Sequence, residues 1–182
     1  MRAKKYPNIH QQLIDLCKKG DTKAQFELYK LYARAMYSTC LRIVGDTFDA
    51  EDVMQEAFFK AFDKINTYRN EVSFGAWLKR IVVNSSLDFI KKSRLDQIPL
   101  DSAYGIKSDD ELANFEPKSV EQLKWGIAKL PEGYRAIISL FYFEGYSHDE
   151  IAELLGITSS TSRSQLTRAK QRLFDILKQN SK

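Results

Sequence analysis

The chain has 182 residues, a formal net charge of +4 and 43% hydrophobic residues, which is enough apolar matter for packed cores and too much for a disordered tail. Eight glycines and four prolines, set against many Leu, Ala, Lys, Glu and Gln, favour helix. No apolar run approaches membrane-spanning length, and Met1 to Leu16 carries basic residues without the hydrophobic core of a secretory signal, so a cytoplasmic setting is expected.

Charge is unevenly spread. Between Arg163 and Lys182 there are six Lys or Arg and one acid, Asp175. Between Asp96 and Ser119 six acids stand against Lys107 and Lys118. A basic end beside an acidic middle points to a polyanion-binding module next to a segment that avoids polyanions. Cys17 and Cys40 match no metal spacing and sit in apolar, helix-like stretches, which predicts buried thiols.

From Ile9 to about Lys92 the pattern is helical almost throughout. Leu13, Leu16 and Cys17 form one apolar stripe; Phe26, Tyr29, Leu31 and Tyr32 begin another. The stretch Ala50 to Ile65 is clearest, with Met54, Phe58, Ala61, Phe62 and Ile65 at three- and four-residue steps and Asp52, Gln55, Glu56 and Asp63 opposite. A third run, Phe74 to Ile90, carries Trp77, Leu78, Ile81, Val82 and Phe89. No run alternates well enough to be a strand.

Around Arg94 the periodicity stops. The segment to Ser119 holds Pro99, Gly105, Pro117 and the run Asp109-Asp110-Glu111, and reads as a linker of about 25 residues, long for a compact domain. Extended, it would reach roughly 80 Å, more than two turns of duplex DNA.

Helices resume after Ser119. Val120, Leu123, Ile127 and Leu130 share a face, and Pro131 suits the first turn of the next helix. Ser147-His148-Asp149-Glu150 has the capping-box form, and Ile151, Ala152, Leu154 and Leu155 follow as its apolar face. Gly156 ends that helix, Ile157 plugs the turn, and Thr158 or Ser159 opens a last helix to about Leu177. This is the helix-turn-helix layout, whose second helix enters the major groove with its early residues on base edges. Those positions offer Ser160, Thr161, Arg163, Ser164 and Gln165, whereas Arg168, Lys170 and Arg172 suit phosphates, which position without specifying.

The residues also resemble a known family. Leu130-Pro131-Glu132-Gly133-Tyr134-Arg135, Phe143-Glu144-Gly145-Tyr146-Ser147, Glu150-Ile151-Ala152 and Gly156-Ile157 look like the fourth conserved region of sigma factors. Asp49 to Phe58 resembles the family's polymerase-binding helix. Phe74-Gly75-Ala76-Trp77-Leu78, with Asn84, Asp88 and Lys91, resembles its second-region promoter-melting helix. Both matches stand in the family's order, with a linker in place of any third domain, which resembles the compact extracytoplasmic-function group.

The resemblance implies an all-α chain of two small helical domains. Region 2 would span 1–93, an acidic linker 94–119, and the region 4 helix-turn-helix 120–182. It implies core RNA polymerase as partner, through the clamp helices of the largest subunit and the flap region of the second largest, together with promoter DNA and an anti-sigma factor. Asp52, Gln55 and Glu56 match clamp-binding positions, and Phe59, off the main stripe, adds an apolar contact. For the minus-ten element, Lys79, Arg80, Lys91, Lys92 and Arg94 would neutralise phosphates. Asn84 and the segment Asn66 to Ser73 would handle the melted strand, with Tyr68, Arg69 and Asn70 offering stacking and polar contacts to an unstacked base. Trp77 reads as core, and Asp88 as orienting its neighbours. The acidic linker reads either as a mimic of the displaced nucleic acid or as a solvated spacer.

Three positions depart from the family pattern: Gly75 where a basic residue is usual, Ser162 where an aliphatic is common, and Gln165 where Arg is. Ser162 puts the packing of the reading helix in question, and Gln165 argues for a different promoter sequence. A rival reading is a stand-alone helix-turn-helix transcriptional regulator binding a palindrome as a dimer, although no coiled-coil heptad or ligand motif supports it. No catalytic constellation, metal, cofactor or small-molecule substrate is expected: His10 and His148 stand apart from any carboxylate-cysteine set, and no glycine loop cradles phosphate.

Overall fold

The computed structural model describes residues 8–92 and 119–180. The expected linker lies outside the described residues, Ser119 excepted, and so do Arg94 and the acidic run at 109–111. Among the described residues there is no strand. Eight helices fall into two compact units, the first holding α1 (Gln11–Lys18), α3 (Thr47–Asp63) and nearly all of α2 (Thr22–Val44) and α4 (Phe74–Lys92). The second holds α5 (Val120–Ala128), α6 (Glu132–Ile138), α7 (His148–Leu155) and α8 (Ser159–Gln179). None of these helices is long and apolar enough to cross a membrane.

In the first unit α3 follows its pattern closely. Asp46 caps it, accepting from the Phe48 and Asp49 amides at 2.8 and 3.1 Å. Ala50, Val53, Met54, Ala57, Phe58 and Ala61 are buried along one face. In α4 the buried set is Phe74, Leu78, Val82, Val83, Leu87 and Ile90, and Trp77 is half-buried with its ring against Tyr68 and Phe74, at 5.3 and 5.5 Å.

Helices α1 and α2 differ from expectation. In α1 the buried residues are Ile14 and Cys17, and Leu16 is exposed. In α2 the inner stripe is Ala24, Leu28, Met36 and Cys40, while Phe26 and Leu31 face out. The apolar run from Phe26 to Tyr32 is thus two faces overlaid. Tyr29 and Tyr32 lean inward, edge-on to Phe58 and Phe74. Both thiols are buried, and burial, with Asp21 adding to it, pushes Cys17 up to about 11.

In the second unit Ser119 caps α5 by accepting from the Gln122 amide at 3.1 Å. Ile127 and Leu130 are buried, but Val120 is exposed, so the shared face begins later than the spacing indicates. Pro131 stands at the cap of α6, just before its first turn. The helix then runs into a π-turn, Ser139–Phe143, closed by the Glu144 amide on the Ser139 carbonyl at 3.0 Å. Leu166, Ala169, Phe174 and Leu177 of α8 complete the core.

Gly126 lets α5 approach α8: a Cβ there would stand 2.6 Å from Leu177 Cδ2 and 3.0 Å from Leu173 Cδ1. Leu177 is itself buried and has little room to yield. At Gly133, in the first turn of α6, a Cβ would meet nothing within 4 Å. Urea unfolding should therefore show Gly126→Ala destabilising the second unit by about 1–3 kcal/mol through overpacking. Gly133→Ala should instead stabilise it by about 0.5–1 kcal/mol through reduced unfolded-state freedom.

Candidate nucleic-acid and partner interfaces

The helix-turn-helix is built by local hydrogen bonds that the sequence spells out. Ser147 accepts from the Glu150 amide at 3.3 Å, and the Glu150 carboxylate receives the Ser147 amide at 2.8 Å, a closed capping box. Gly156 takes the left-handed conformation, φ 70°, and the Ile157 amide turns back to the Ala152 carbonyl at 3.0 Å. Thr158 then caps α8 through the Thr161 amide at 3.0 Å. Two polar ties join the helices: Ser159 Oγ donates to the Asp149 carboxylate, and His148 Nδ1 stands 2.9 Å from Ser162 Oγ. Ser162 is fully buried, so its hydroxyl replaces the aliphatic packing with a hydrogen bond.

On α8, Ser160, Ser164 and Arg168 follow one another at four-residue steps on an exposed stripe. Thr161, Gln165 and Arg172 flank it on one side, with Arg163 and Lys170 on the other. Ser160, Arg163, Ser164 and Arg168 are exposed, whereas Thr161, Gln165, Lys170 and Arg172 are half-buried. The eight expected residues thus spread over roughly 220° of the helix, with Arg163 and Arg172 on opposite flanks of the exposed stripe.

On α3, Asp52, Gln55, Glu56 and Phe59 are all exposed, Phe59 by 75%. Phe48, outside the set expected from sequence, is 79% exposed. At 100° per residue it lies within roughly 40° of Asp52 and 20° of Phe59, so two phenyl rings bracket the acids on one stripe. Glu56 pairs with Lys60 at 2.8 Å, which offsets part of the negative charge.

On α4, Arg80, Asn84 and Lys91 form one exposed stripe with Asp88, and Lys92 is exposed at the helix end. Lys79 is half-buried and lies well round the helix from that stripe, so it does not join the set.

The segment before α4 corrects one expectation. Tyr68 is 2% exposed and has no free face for a base. Its ring packs on Phe74 and Trp77, Lys18 Nζ lies 5.6 Å from its centre, and its hydroxyl donates to the Val72 carbonyl at 2.7 Å. Burial raises its pKa, against a lowering contribution from the Asn8 amide. Arg69 is exposed. Asn70 takes a left-handed backbone, φ 61°, and its amide donates to Gln11 Oε1 at 2.7 Å.

Residues from the start of the chain hold this segment. Asn8 donates to the Tyr68 hydroxyl at 2.8 Å and accepts the Phe74 amide at 2.9 Å, capping α4 from a remote position. Lys18 Nζ donates to the Tyr68 carbonyl at 2.8 Å. No local spacing could have found Asn8, Gln11 or Lys18, since their partners are some fifty or more residues away.

The described residues thus form a two-unit all-α protein whose second unit carries a helix-turn-helix. The sigma-70 region 2 pattern matches residues 28–95, and the sigma-70 region 4 pattern matches residues 126–173. The chain is 32% identical over 175 residues to the ECF RNA polymerase sigma factor SigW of Bacillus subtilis (strain 168), covering 88% of this chain and 92% of that one. It is 31% identical over 173 residues to the ECF RNA polymerase sigma-E factor of Escherichia coli (strain K12), covering 88% and 90%. Among solved structures its fold resembles the sigma factor RpoE in complex with the anti-sigma factor NepR from Bartonella quintana, with a TM-score of 0.55, 22% identity and coverage of 84% and 95%. It also resembles CnrH in complex with the cytosolic domain of CnrY, with a TM-score of 0.53, 21% identity and coverage of 93% and 97%. The chain belongs to the extracytoplasmic-function group of the sigma-70 family of RNA polymerase sigma factors. It is an alternative sigma factor that directs promoter recognition, and the rival reading as a stand-alone regulator falls away because region 2 occupies the half a sensor domain would need.

Asn8→Ala should cost about 1–2 kcal/mol, as a lost helix cap does, and should speed hydrogen exchange at the Phe74 amide. Unchanged exchange at Phe74 would mean that the remote cap does not hold in solution.

Proposed function

We propose that this sigma factor binds core RNA polymerase through the stripe Phe48, Asp52, Gln55, Glu56 and Phe59 on α3. Acids between two exposed rings suit a basic helical surface with apolar gaps, such as the clamp helices of the largest subunit. In this reading residues 1–93 form the polymerase-binding and minus-ten unit, 94–119 the linker, and 120–182 the upstream-element reader, which also meets the flap of the second-largest subunit. Arg80, Asn84, Lys91 and Lys92, with Arg69 and Asn70, face the minus-ten element, and Tyr68 shapes their loop from inside. The protein works in the cytoplasm, contributes no catalysis, needs no cofactor and takes no small-molecule substrate; the polymerase supplies the chemistry. A separate anti-sigma factor holds it until release.

The observation that carries this reading is the outward face of α8, on a helix whose start is fixed by a cap, a left-handed glycine turn and two polar ties. Run-off transcription from a genomic promoter library, with core polymerase and this protein, tests it. Initiation at a defined set of promoters is expected; no gain at any promoter together with no complex with core would overturn it. Changing Asp52, Gln55 and Glu56 together to Ala should weaken core binding at least tenfold while the free protein stays folded, a loss of about 1.4 kcal/mol or more.

Reading and anchoring separate on α8. Arg163→Ala should relax preference at one upstream base pair, at a cost of about 1–3 kcal/mol. Arg172→Ala should weaken all sequences evenly and lower the salt slope by about 1. Equal behaviour of the two would overturn the division into reading and anchoring residues.

A further inference from the structure

We infer that His148 is a positioning residue for promoter reading, setting the roll of α8 about its own axis through Ser162. The inference rests on the proposed role of α8 as the reading helix. Ser162 lies one residue from Thr161 and Arg163 and within a turn of Ser160, Ser164 and Gln165, yet it is wholly buried. A buried hydroxyl is costly without a partner, and His148 Nδ1 at 2.9 Å is the partner. The imidazole is itself clamped: it stacks on Phe141 with centroids 4.8 Å apart and planes at 27°, and Phe141 belongs to the π-turn Ser139–Phe143.

The chain of contacts therefore runs from the π-turn through the stacked ring to the seam of the reading helix. An aliphatic residue at Ser162 would hold α8 by area alone, and area tolerates rotation about the helix axis. A hydrogen bond is directional and weakens steeply off line, so it fixes roll. The Asp149–Ser159 tie one turn earlier fixes the start of α8 in the same sense. Ser160, Thr161 and Ser164 are short, and a small rotation would carry their hydroxyls out of reach of base edges.

The test uses the full chain with core polymerase and a library varied at the upstream element. Ser162→Ala and His148→Ala should each lower the ratio of initiation at the preferred upstream sequence to that at single-base variants by roughly three- to tenfold, the scale of one lost hydrogen bond. The double variant should fall no further, because both changes break the same contact. His148→Asn, which places an amide group near the position of Nδ1, should keep the ratio. Minus-ten preference and core binding should be unchanged throughout.

In the free protein, ¹⁵N NMR of the imidazole should show the Nδ1 resonance moving in Ser162→Ala. Thermal melts of the Ala and Asn variants check that each is folded. The inference fails if folded single variants keep the ratio, if they lower all promoters evenly, if their effects multiply, or if Nδ1 does not respond. A perturbed Nδ1 with unchanged promoter preference would remove His148 from specificity and leave α8 as the reader. Wild-type protein that initiates nowhere would remove the reading itself.

Discussion

Each of the two compact units has one core, and that core can take one stripe from each helix. The opposite stripe of each helix is left for solvent or a partner, and the interfaces proposed on α3, α4 and α8 lie on such stripes. In α3 the inner stripe is small and tight, with Ala50, Ala57 and Ala61 beside Val53, Met54 and Phe58. Small alanines on the inner stripe leave the larger side chains of Met54 and Phe58 to fill the core. On the opposite stripe Phe48 and Phe59 are 79% and 75% exposed.

The second consequence concerns polar groups caught between the stripes. Ser86 is fully buried and returns its hydroxyl to the Val82 carbonyl at 2.8 Å, which satisfies it within its own helix. Ser162 is equally buried but is satisfied across the seam, by a ring on another helix. The first arrangement is self-contained and the second couples two elements. That difference, more than the residue type, separates a tolerated core serine from one that carries geometry.

Much of the fold was legible because its determinants are local. The capping box at Ser147 and Glu150, the glycine turn at Gly156 and the cap at Thr158 act over three or four residues, so spacing reveals them. The inner stripe of α3 is legible for the same reason. Where two readings of one run compete, spacing alone misleads: Phe26 and Leu31 look like core because they are apolar, yet Ala24 and Leu28 fill the seam. The burial of Tyr68 depends on Asn8, Phe74 and Trp77, and no local rule links those positions. The π-turn after Ile138 has no residue signature in the sequence, since Ser139–Phe143 reads as ordinary helix.

The composition of the reading face explains why position matters so much. Long side chains such as Arg can find a base edge from a range of helix placements, because they have rotamers to spend. Ser160, Thr161 and Ser164 have almost no such range, so their reach is set by where the backbone lies. Moreover, Ser164 donates to the Thr161 carbonyl at 3.0 Å, and the Thr158 and Thr161 hydroxyls bond each other at 2.8 Å. These hydroxyls are already oriented by the helix and present lone pairs in fixed directions. A face built from short, oriented groups gains discrimination only if the helix beneath it cannot roll. The polar ties to α7 are therefore a condition of reading sequence with serines and threonines, and a reader relying on long arginines alone could dispense with them.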